Sequence, residues 1–75
     1  MKNYTTAKQQ LKNSADLVRE NYPKDKPMQR GWINDTRDAI EKDIINCPSW
    51  DISEAKREQY RNWLSDYACK LHPKN

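Results

Sequence analysis

The chain holds no Phe, one Gly, one His and two Cys among its 75 residues. Each shortage excludes something. A single Gly cannot build the Gly-rich loop that cradles phosphates. A single His leaves one side chain that titrates near neutral pH, and His72 lies close to the C-terminal residue. Two Cys and one His fall short of a four-ligand zinc set, so we expect no metal and no cofactor. No stretch approaches the roughly 18 apolar residues of a membrane helix. No charged-then-apolar leader opens the chain. The expectation is a cytoplasmic protein that neither crosses nor enters a membrane.

Catalysis is equally short of material. A nucleophile needs a base and a group to orient that base. Asp35 with Asp38, and Glu54 with Glu58, form carboxylate pairs, but Arg57 and Arg61 sit beside the second pair at helical spacing. Such patterns are solvated, salt-bridged helix surfaces. The reading is a protein that is not an enzyme and takes no small-molecule substrate.

What the chain does have is large apolar anchors in a polar background. Mean hydropathy is −1.31. Three Trp, four Tyr, five Ile and four Leu are nevertheless present. Disordered chains lack such anchors. Prolines divide the sequence: Pro23 and Pro27 bracket one break, Pro48 marks a second and Pro73 closes the end.

Between these breaks, apolar residues recur at steps of three and four. The spacing predicts helices over 6–21, 27–46 and 53–71. In the first, Tyr4, Ala7, Leu11, Ala15, Val18 and Tyr22 share a face, and Thr6 with Gln9 reads as a capping box. In the second, Asp25 is the candidate cap, and Met28, Trp32, Ile33, Ala39, Ile40, Ile44 and Cys47 form one broad face. Gly31 there suits the close approach of a neighbouring helix. Asp43 breaks that face, and Ile45 points away from it. In the third, Ser53 or Asp51 is the cap, and Tyr60, Trp63, Leu64, Tyr67, Ala68 and Leu71 are apolar. No segment alternates with period two.

The fold class is therefore all-α, a compact three-helix bundle or orthogonal three-helix array, with residues 1–75 as a single helical domain. The expected core is Leu11, Val18, Trp32, Ile33, Ile40, Ile44, Leu64, Tyr67 and Leu71. Cys47 and Cys69 are expected as free thiols. Cys69 falls roughly 21 Å along the third helix, whereas an antiparallel pairing puts Cys47 near the other end of that helix. A disulfide requires Cα atoms within about 7 Å.

Two kinds of binding surface stand out. The first is apolar. Trp50 lies in a connection, Trp63 at the edge of its stripe, and Leu17 and Ile45 off theirs, so these four are candidates for a protein partner or a homodimer contact. Trp50 could also staple onto Ala55. The second is basic. Net charge is +3, with the excess in the N-terminal third. Lys8, Lys12 and Arg19 line one flank of the first helix, with Lys2 ahead of them. Arg30, Asn34 and Arg37 share a side of the second. Arg and Asn reach phosphates or base edges, which makes these residues nucleic-acid candidates. Interleaved acids and the modest charge place the protein partner first.

The order Asp25-Lys26-Pro27, then Arg30, then Asn34-Asp35, then Asp38, within Tyr22 to Ala39, resembles a stretch in small, functionally unassigned accessory proteins of tailed phages and prophages. The resemblance implies a small cytoplasmic protein of a mobile element that binds and modulates a host protein complex, or else a DNA-binding regulator.

Overall fold

A computed structural model describes residues 3–73 and shows three helices and no strand among them. Helix α1 is Tyr4–Asn21, α2 is Lys26–Ile40, and α3 is Glu54–Leu71. A π-helical turn, Glu41–Ile45, continues α2. Lys2, one of the basic candidates, lies outside the described residues.

The helix starts follow from side-chain caps that satisfy orphan backbone N–H groups. Asp25 Oδ1 accepts from Met28 N at 3.0 Å, and Ser53 Oγ from Lys56 N at 3.2 Å. At α1 the cap is Asn3 rather than Thr6. Asn3 Oδ1 accepts from Thr6 N at 2.8 Å, which begins the helix at Tyr4. The carboxamide three residues upstream satisfies Thr6 N rather than Gln9 N, and the helix gains about half a turn.

The helices run up, down and up. Ser14 meets Thr36 and Tyr22 meets Gln29, so α1 and α2 are antiparallel. Tyr4 meets Tyr60 and Arg19 meets Leu71, so α1 and α3 are parallel. The molecule measures 40 × 21 × 16 Å, the shape of a bundle rather than an orthogonal array. Its core is Ala7, Leu11, Ala15 and Val18 from α1, Ile33 and Ile40 from α2, Ile44 and Ile45 from the π turn, and Leu64, Ala68 and Leu71 from α3. Trp32 and Tyr67, expected inside, pack against this core from its edge.

The π turn corrects one expectation. Ile45 was placed on the outer surface as a partner-binding candidate, but it is 0% exposed. In an uninterrupted α-helix it would lie about 140° round from Ile40. Asn46 N instead donates to Glu41 O, five residues back, at 2.8 Å. The widened turn brings position 45 over position 40, and both isoleucines enter the core.

The connection after the turn is held by Arg57 of α3. Its guanidinium donates to the carbonyl oxygens of Ile45 and Trp50, and to Cys47 O at 3.0 Å. Trp50, a second candidate for an exposed anchor, is drawn inward by this grip. Its ring stacks on Tyr60 at 5.4 Å with a 2° interplanar angle. The expected staple partner, Ala55, is exposed. Tyr60 stacks in turn on Tyr4 at 5.3 Å. The aromatic column ties α3 to the connection and to the start of α1.

Two substitutions test this account. Arg57→Ala is expected to cost about 2–3 kcal/mol, because hydrogen bonds from a charged donor are lost. Ile45→Ala is expected to cost about 2–4 kcal/mol, and Leu17→Ala under about 0.5 kcal/mol. Urea unfolding followed by circular dichroism measures all three. Equal effects at positions 45 and 17 would contradict the π-turn register.

Candidate protein-docking groove

The apolar surface that the bundle leaves open lies on α2. Its core residues, Ile33 and Ile40 with buried Gln29, define one face. Met28, Trp32, Asp35 and Ala39 define another, centred about 110° away at 100° per residue. Since α1 and α3 cover the first face, the second is left open: Met28, Asp35 and Ala39 are exposed and Trp32 is half-buried. It forms a groove of about 720 Å³, with Gln10 of α1 on one wall and Asp43 of the π turn at the far end. Met28 is 41% exposed. Met28 and Ala39, expected to face the interior, lie on this second face instead.

Gly31 sits in the groove. Among the described residues, nothing stands within 4 Å of a Cβ built there. The expected reason for this glycine, close approach of a helix of the same chain, is therefore not met inside the molecule. A mid-helix glycine costs about 1 kcal/mol relative to Ala. The cost brings no packing gain within the monomer.

Trp32 is the anchor of the groove and is held before anything binds. Its indole Nε1–H donates to Ser14 Oγ at 2.8 Å. Ser14 Oγ is also 2.8 Å from Thr36 Oγ1, so the serine hydroxyl is free to donate onward to the threonine. Tyr22 braces the indole at 6.2 Å between centroids. At the head of α2, Gln29 Nε2 donates to Tyr22 O at 2.8 Å and fixes the α1–α2 connection. An aromatic ring locked by its polar edge presents apolar area at little entropic cost.

The other apolar candidates do not assemble. Leu17 is 48% exposed and Trp63 is 44% exposed. Trp63 packs edge-on against Tyr4 at 5.5 Å. Leu17 lies thirteen residues beyond Tyr4 on α1, roughly 20 Å along the axis. With Ile45 buried and Trp50 stacked, the four form no single patch.

The basic candidates are drawn into the structure. The Lys8 ammonium lies 4.7 Å from the Tyr67 ring centroid. Lys12 pairs with Asp16 at 2.7 Å, and that hydrogen bond raises the lysine pKa. Arg19 donates to Leu71 O at the end of α3, and Arg37 pairs with Asp38 at 2.8 Å. Asn34 Oδ1 accepts from His72 Nε2 at 2.8 Å. Arg30 lies close enough to bear on the His72 charge. The two basic groups thus meet at the C-terminal end of α3, where Arg19 occupies a carbonyl that helix geometry leaves unpaired.

No group of three metal-ligating side chains occurs among the described residues. Cys47 Sγ lies 3.0 Å from Ser49 Oγ, and Cys69 is exposed; both are free thiols.

Burial lowers the His72 pKa below 6.5, and the charges of Arg30 and Arg37 lower it further. The folded state therefore favours the neutral ring. This contribution to stability is complete above the unfolded value of 6.5 and is lost as pH falls from there toward the folded value. Wild type should lose more of its urea midpoint between about pH 7.5 and pH 5.5 than His72→Gln does. Parallel losses would remove His72 as the cause.

No family model matches the chain, and no curated protein or solved structure is similar to it.

Proposed function

We propose that this protein is a non-catalytic binding module that captures a segment of another protein in the α2 groove. In this reading it acts in the cytoplasm as an accessory protein of a mobile element and modulates a host complex. The observation that carries the proposal is Gly31, a helix-destabilising residue lining an open apolar groove, with no neighbour to accommodate among the described residues. The pre-set indole of Trp32 beside it supports the same reading, since buried aromatic anchors dominate binding energy at protein interfaces. No helix among the described residues is long and apolar enough to cross a membrane.

Nucleic-acid binding is the second reading. Trp63 supports it, because this exposed ring shares a shallow surface with Lys8, Tyr67 and Lys70, a combination on which bases can stack. Asp66 on the same surface opposes it. The groove explains Gly31 and the second apolar face of α2, and the basic residues explain neither.

Gly31→Leu separates folding from binding. A Cβ at position 31 meets open space, and leucine has the better helix propensity and adds bulk at the groove lining, so thermal stability should hold or rise. Capture of a protein partner from host lysate, treated with nuclease, should be lost. Raising salt should change wild-type capture little, whereas phosphate binding would weaken steeply through counterion release. Capture that survives Gly31→Leu, or that disappears with nuclease, would overturn the proposal.

A further inference from the structure

The chemistry of the groove specifies its occupant. Resting on the docking reading above, we infer that the groove receives an amphipathic helix of a different protein, carrying Lys or Arg at two positions about two turns apart.

The shape favours a helix. The lining positions of α2 and the π turn run from Pro27 to Asp43, roughly 24 Å along the axis. They recur at steps of three and four, which makes a straight ridge-and-groove surface of the kind that helices pack into. Gly31 and Ala39, two turns apart, lower the floor and let a second backbone approach closely.

The charge specifies the partner. Asp35 and Asp43 line the groove, eight residues and roughly 12 Å apart. Among the described residues no cation forms a salt bridge with either, as is also so of Glu20, Glu41, Glu58 and Asp66; the paired acids are Asp16, Asp38 and Glu54. On a chain of net charge +3, this apolar groove is thus lined by two carboxylates that form no salt bridge among the described residues. Cationic side chains flanking an apolar stripe would neutralise them as the stripe docks, and rim pairs of this kind set partner choice and orientation.

The same carboxylates disfavour a second copy of this chain. Asp35 lies at the midpoint of the 27–43 lining. A two-fold contact centred on the groove would place Asp35 against its own copy, whether the paired helices ran parallel or antiparallel. Two carboxylates pressed together in an apolar interface repel each other.

The test uses two stapled 20-residue helical peptides with an identical Leu/Ala stripe. One carries Lys at two flanking positions eight residues apart, and the other carries Glu there. Each is titrated into the full chain while the Trp32 indole N–H resonance is followed by NMR. The Lys peptide should shift that resonance and bind at least about tenfold more tightly than the Glu peptide. Asp35→Asn with Asp43→Asn should erase the preference, and Asp35→Lys with Asp43→Lys should reverse it. Equal binding of both peptides would overturn the charge rule and leave the groove reading intact. Failure of both peptides to move Trp32 would overturn the helical occupant. A shift of Trp32 with protein concentration alone would overturn the choice of a foreign partner over a second copy. The proposed docking function stands or falls separately, on capture by wild type and Gly31→Leu.

Discussion

The guanidinium of Arg57 is the point on which the bundle closes. It lies across the connection between the second and third helices and donates to three carbonyl oxygens there, those of Ile45, Cys47 and Trp50. Few side chains can do this, because a fork of five donors is unique to arginine. The segment it holds contains Pro48, which has no N–H of its own to offer. With the carbonyls gathered on α3, Ile45 stays in the core and the Trp50 ring lies flat on Tyr60. The aromatic column through Tyr60 and Tyr4 then fixes α3 against α1.

That closure decides what is left outside. A three-helix bundle gives each helix two neighbours, and α2 has apolar residues for more than two. Ile33 and Ile40 are consumed by α1 and α3. Met28, Trp32 and Ala39 lie around the helix from them and meet no third neighbour. Trp32 is nonetheless immobilised through its N–H by Ser14. Trp32, Gly31 and Asp35 of α2 and Asp43 of the π turn all line the surface left open.

The cationic residues show the opposite outcome. As a string they form a basic flank, and in space they serve the ends of helices. Arg19 supplies a donor to the last carbonyls of α3, and Asn34 holds His72 just beyond them. Lys12 and Arg37 are paired with acids on their own helices. Exposed pairs of this type contribute little to stability.

The sequence by itself determined the number, type and approximate limits of the helices. Those depend on local chemistry: caps at Asp25 and Ser53, prolines at the breaks, and three-and-four spacing along each segment. It also identified most of the core, because Leu11, Val18, Ile33, Ile40, Ile44, Leu64 and Leu71 sit at the centres of their stripes. Only the tertiary structure decided which part of a broad stripe would be covered. Met28, Trp32 and Ala39 look like core in sequence, because periodicity records that a face is apolar and not whether anything packs on it. Ile45 looks like surface, because a uniform 100° step cannot anticipate a turn closed five residues back. That turn exists because burying Ile45 and gripping its carbonyl with Arg57, twelve residues away, outweighs the loss of regular α-helical geometry.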